Sequence, residues 1–191
     1  MATFLAVAGS AIAEFGADGS IHSSVMSMVS ETMILATSKG GSNIFQPNGD
    51  FIFGSTVTGE FGFRDHDIQL VRFLPQGNVD SSFNSPVFEF GAEPATGSVR
   101  ALAVQPDGRI LVGGEAGHFG AGGFGVARFN ANGSFDTSFG NSGITTTPFP
   151  NATTVEHTLL LQPDGKIVAV GTEDVNGGGP ANLVAARYLS R

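Results

Sequence analysis

AVQPDGRILVGG, residues 103–114, is a stretch that this chain writes three times. IFQPNGDFIFGS (44–55) and LLQPDGKIVAVG (160–171) keep its plan, a Gln-Pro-(Asn/Asp)-Gly turn followed by an apolar run. The glutamines Gln46, Gln105 and Gln162 lie 59 and 57 residues apart. Self-similarity at such a period marks a repeat array. The turn chemistry is also specific. Proline presets its own φ, and glycine accepts the positive φ that closes a tight hairpin.

A second element runs in phase with the first. It reads IAEFGADGSIHSSV (12–25), LVRFLPQGNVDSSF (70–83) and VARFNANGSFDTSF (126–139), with a stub AARYLSR at 185–191. Each period of about 58 residues therefore predicts four short strands. In the third they fall near Arg100–Val104, Arg109–Val112, Gly125–Phe129 and Ile144–Phe149. No window carries a helical period. Four antiparallel strands per repeat is the composition of a propeller blade. The expected fold is all-β, an incomplete β-propeller-like array of about 3.3 four-stranded antiparallel repeats forming one domain over 1–191. The units are approximately 4–49, 50–108, 109–165 and 166–191. FLAVAG (4–9) lines up with KIVAVG (166–171), so the apolar N-terminal run reads as a strand. It has no basic flank, so it is not read as a signal peptide. Propellers usually have four to eight blades. The array is thus expected to be a segment of a longer one, a compact open assembly, or a homo-oligomer joined through its open repeat ends.

The pattern QPDG-(R/K)-I-(L/V) followed by ARFNANGSFDTSFGNSG resembles the delta-60 repeat, a β-propeller-like bacterial repeat family. The resemblance covers nearly the whole chain and is weakest over residues 1–45. It implies a propeller-like fold and an extracellular or cell-surface setting in large bacterial proteins. It implies no shared catalytic activity, and no catalytic residue carries over.

Composition narrows the function classes. Apolar residues make up 41% and charged residues 14%, with a net charge of −8 and no cysteine. The acidic balance disfavours nucleic acid and anionic membranes as partners. Without cysteine there are no disulfides or thiolate metal sites. No apolar run reaches the roughly 18 residues of a membrane span.

The repeats can be read against one another. Arg72 and Asp80 are eight apart, as are Arg128 and Asp136, while the degenerate first repeat has Glu14 and His22 there. Both members change together, which predicts structural ion pairs tying the third strand to the following turn. RFNANGSFDTSFGNSG (128–143) also begins like a calcium loop, with Asn130, Asn132 and Asp136 around Gly133. Leu74, Pro75 and Gln76 do not supply those oxygens in the second repeat, and the glycines Gly19, Gly77 and Gly133 alone persist. The stretch reads as a turn.

The repeats differ most between the second and third strands, at 55–67, 115–125 and 172–182. Such loops emerge on one face, where scaffolds place function. The candidate ligand face comprises Glu60, Phe61, Phe63, Asp65, His66, Asp67, Glu115, His118, Phe119, Glu173 and Asp174. No cofactor is required by the sequence. A divalent cation held by carboxylate and imidazole is the one this face admits. GAGGFG at 120–125 matches a dinucleotide fingerprint but lacks the strand–helix context that fingerprint needs. No nucleophile elbow, HExxH or Walker motif occurs. The leading reading is a non-enzymatic module for protein or glycan interaction. One alternative is a hydrolase or lyase using Asp65, His66, Asp67 and His118. The other is a purely structural repeat segment.

Overall fold

The computed structural model describes residues 4–8, 11–15, 21–24, 41–57, 67–90, 98–117, 121–150, 152–174 and 181–190, the first three segments as strands and their pairing. The described residues form thirteen strands and no helix. They make four antiparallel sheets, each a meander of consecutive strands. The first holds β1 (Phe4–Ala8), β2 (Ala11–Phe15) and β3 (Ile21–Ser24). The second holds β4 (Gly41–Phe45), β5 (Phe51–Val57) and β6 (Asp67–Phe73). The third holds β7 (Ser98–Val104), β8 (Ile110–Glu115), β9 (Ala121–Phe129) and β10 (Ile144–Pro150). The fourth holds β11 (Thr153–Leu161), β12 (Ile167–Asp174) and β13 (Asn182–Tyr188). No pairing among the described residues joins one sheet to another, so the array is an open, incomplete propeller-like stack.

The Gln-Pro-(Asn/Asp)-Gly turns join the first and second strands of each repeat. Gly49, Gly108 and Gly165 have φ of 89°, 85° and 82°, where a side chain would be strained. The Asn or Asp before each glycine accepts a bond from the backbone N–H two residues on, at 3.1 Å in all three turns. The four-strand plan is complete in the third repeat. In the second, Phe88 stands in for the fourth strand by exchanging both backbone bonds with Ile68. In the first repeat the register differs by one residue from the sequence alignment. Phe4 faces Phe15 as Ile167 faces Tyr188, so Phe4 corresponds to Ile167 and not to Lys166.

The core lies between the sheets. One cluster packs Ile52, Ile68 and Phe88 against Val99, Ile110 and Phe129. The next packs Leu111, Phe124 and Val126 against Leu159, Ile167 and Ala169. Strand alternation decides which residues serve which interface. The outer face of the fourth sheet carries the positions that the third sheet buries against it. Leu183, the counterpart of fully buried Phe124, is 78% exposed, and Leu160, the counterpart of Ala103, is 52% exposed.

Candidate functional site

The tips of the variable loops, with Glu60, Phe61, Phe63, Asp65, His66, His118 and Phe119, lie outside the described residues. Four members of that predicted face are described. Asp67 opens β6 opposite Val57, and Asp174 closes β12 opposite Thr153. Glu173 sits opposite both Thr154 and Asn182. Glu115 closes β8 and is engaged within its own sheet. Arg100 donates to Glu115 Oε1 from Nη2 at 2.7 Å and from Nε at 3.1 Å, and Ser98 Oγ donates to Oε2 at 3.1 Å. No group of three His, Cys, Asp or Glu suited to a metal ion occurs among the described residues. His157 bulges outward on β11, exposed, with Nε2 3.1 Å from Thr172 Oγ1.

The repeated arginines are brought to their aspartates. Arg72 Nε donates to Asp80 Oδ2 at 2.8 Å, and Arg128 Nε donates to Asp136 Oδ2 at 2.8 Å. Each aspartate also accepts the hydroxyl and the backbone N–H of the serine two residues on, Ser82 or Ser138. These bonds favour the charged form. Hydrogen bonds from Ser82, and then Arg72, lower the Asp80 pKa to about 2. At Asp136 burial acts upward but is outweighed by Ser138, Arg128 and Arg109, and the net shift is downward. The arginine planes also cover phenylalanine rings, Arg72 over Phe83 at 4.7 Å and Arg128 over Phe139 at 4.6 Å. The free arm of each arginine reaches the next repeat. Arg72 Nη1 donates to the Ala131 carbonyl at 2.7 Å, and Arg128 Nη1 to the Ser190 carbonyl at 2.8 Å. The side chains of Glu14 and His22 lie outside the described residues; their strands β2 and β3 are paired.

At the Gln-Pro turns three repeats converge on one cavity of about 790 Å³. Its wall repeats one motif: Phe45-Gln46-Pro47, Val104-Gln105-Pro106 and Leu161-Gln162-Pro163. In all three repeats the glutamine Oε1 is buried and has no hydrogen-bond partner among the described residues. Gln105 is only 8% exposed. Each orphaned acceptor costs about 1–3 kcal/mol. Arg72 is the one ionisable residue of the cavity wall, and its guanidinium is committed to Asp80 and the Ala131 carbonyl. The cavity was not expected from the sequence. The signal was present in the invariant glutamine of the repeat, which no turn geometry requires.

A second orphaned group lies between the third and fourth sheets. Glu156 is fully buried, and its carboxyl oxygens make no well-formed hydrogen bond among the described residues, with the Gly114 amide only loosely engaged. Its counterpart in the third repeat is the fully buried Val99. The carboxyl rests on Gly113, where a Cβ would collide with it. Burial pushes its pKa up to about 9; the Gly114 amide offsets part of this and the Glu115 charge adds to it.

Residues 105–139 and 162–189 match a family model described as a domain of unknown function (DUF5122) beta-propeller. A search of curated proteins gave no match. The matched segments contain two of the Gln-Pro-Asp-Gly turns and the Arg128–Asp136 brace, and the match supports a β-propeller-like repeat family for this chain.

Proposed function

We propose that this chain is a non-enzymatic interaction module that binds a protein or carbohydrate partner at the cavity ringed by its Gln-Pro turns. We assign its repeats to the delta-60 type of large bacterial surface proteins. The supporting observation is that the Gln-Pro turns of three repeats line one cavity of about 790 Å³ from equivalent positions. An orphaned polar group in one repeat is an isolated cost. The same group orphaned three times is a property of the motif and not of one turn. The hydrolase or lyase alternative places its chemistry elsewhere, at Asp65, His66, Asp67 and His118 of the variable-loop face, of which Asp67 alone is among the described residues.

The test uses the absence of cysteine. A single cysteine at exposed Thr153 carries a fluorophore, and the labelled protein is applied to arrays of glycans and of peptides. Binding is expected, and it is lost when Gln46, Gln105 and Gln162 are all replaced by leucine while the melting temperature is kept. A partner bound equally well by the triple variant refutes the cavity as the site.

A further inference from the structure

We infer that the outer face of the fourth sheet takes the first sheet of a second copy of this chain, joined head to tail.

A repeat that ends an array usually carries a polar outer face. The fourth sheet does not. Leu160, Leu183 and Ala185 are exposed on it, at the places where the third sheet buries Ala103, Phe124 and Val126. The other side of the same strands, with Leu159, Ile167 and Ala169, packs on the third sheet. Strand alternation therefore gives the fourth sheet two apolar faces, and one is uncovered.

The first sheet has the matching residues in register. Phe4 corresponds to Ile167 and Phe15 to Tyr188, so Ala6 and Ala13 correspond to Ala169 and Ala186. In the fourth repeat all four of these residues pack on the sheet before it. Among the described sheets none precedes β1–β3 in the chain.

Two exchanges of size favour this pairing over any other repeat. Between the third and fourth sheets Phe124 lies against Gly171, where a Cβ would come within 2.7 Å of its ring. At the inferred contact the counterparts are Leu183 and Ala8, so a shorter side chain faces the position that has a Cβ. Gly113 is bare where Glu156 and Leu159 of β11 rest on it. The outer face of the fourth sheet has Val170 at that place, and the first sheet has no described counterpart of β11 to collide with it. A polar anchor is also in place. Arg72 and Arg128 each finish on a carbonyl of the following repeat, and Arg187, next in the series, is exposed on β13.

The contact joins two different surfaces, and such contacts give closed rings or open chains. Two copies of four sheets bring eight, within the range of closed propellers, so the closed form is a dimer.

The experiment is sedimentation velocity of the full chain over a range of concentrations. A dimer is expected. Leu160→Glu combined with Leu183→Glu should weaken it at least about tenfold, with the melting temperature of the single chain unchanged because both leucines are exposed there. Orientation is read with cysteine, which the native chain lacks. Under mild oxidation, Ala8→Cys mixed with Leu183→Cys should give a disulfide-linked pair containing one of each. Cross-linking of Leu183→Cys to itself would mean that two outer faces meet, and it overturns the head-to-tail contact. Failure of the mixed pair to cross-link overturns the assignment of the first sheet. A chain that stays monomeric, or one whose association ignores the leucine substitutions, overturns the inference.

Discussion

Among the described residues, Glu156 is the one carboxyl that stays protonated in the fold while it ionises in the unfolded chain at neutral pH, and replacing it by glutamine removes that difference. Its folded pKa is about 9 against an ordinary value of 4.5, chiefly because it is buried. A raised acid pKa gives full stability below the unfolded value. That stability is lost as pH rises from there toward 9, because only the unfolded chain releases the proton. Each pH unit in that window costs the fold about 1.4 kcal/mol. At pH 7, two and a half units above the unfolded value, the cost is about 3 kcal/mol; between pH 5 and 8 stability should fall by about 4 kcal/mol. That is a large share of the roughly 5–15 kcal/mol of a typical domain. Urea unfolding followed by circular dichroism at pH 5, 6, 7 and 8 measures it. The native chain should lose stability steadily across the series. Glu156→Gln should be nearly flat, close to native at pH 5 and several kcal/mol more stable at pH 8. Glu156→Val, which installs the residue found at Val99, should be flat as well. Equal slopes for native and variant chains would refute the reasoning, because Glu156 would then be ionised in the fold.

Four further outcomes can be checked. Arg128→Ala leaves the buried Asp136 carboxylate with Arg109 at 3.0 Å and the two Ser138 bonds and should cost about 1–3 kcal/mol, whereas adding Asp136→Ala should cost little more; additive losses in urea unfolding would show that the two are not coupled. Asp80→Asn should flatten the acid limb of stability, since a lowered carboxylate pKa gives stability present above 3.8 and lost as pH falls toward 2; acid titration by circular dichroism reads it, and an unchanged limb counts against the Ser82 and Arg72 bonds. Gly133→Ala forces a side chain onto φ 89° and should lower the melting temperature by several degrees, by calorimetry. Arg72→Lys keeps the charge but cannot hold Asp80 and the Ala131 carbonyl in one planar fork, so it should recover only part of the loss of Arg72→Ala in the same assay.

The fold was legible because its signals are local. A Gln-Pro-Asp-Gly turn states its hairpin in four residues, and the short apolar runs ILVGG and IVAVG that follow it state the strands. Arg128 and Asp136 were legible as a pair because the repeats supply their own comparison. The cavity was not, because each glutamine looks like part of a turn until three of them are set in one space. Glu156 was also missed. In TTVEHTLLL it reads as a polar residue on an alternating strand, and only the sheet facing it, with Gly113 beneath the carboxyl, makes it buried. The one-residue register difference in the first repeat has the same origin, since an apolar run such as FLAVAG aligns equally well in two registers.

The forked arginines give the array a direction. Arg72 belongs to the second repeat but finishes its bonding on Ala131 of the third, and Arg128 of the third finishes on Ser190 of the fourth. The second and third repeats therefore each lend a donor forward along the chain, whereas the first has Glu14 at the arginine position. In the language of one-dimensional cooperative systems, the energy of a unit and the coupling to its neighbour share one side chain and cannot vary separately. Loss of the fourth repeat alone leaves an arginine of the third half unsatisfied, so fraying at the C-terminal end is penalised one repeat inward. Loss of the second repeat removes the Arg72 donor and leaves behind only the Ala131 carbonyl, which water can serve. Unravelling should thus be easier from the front of the array than from its rear.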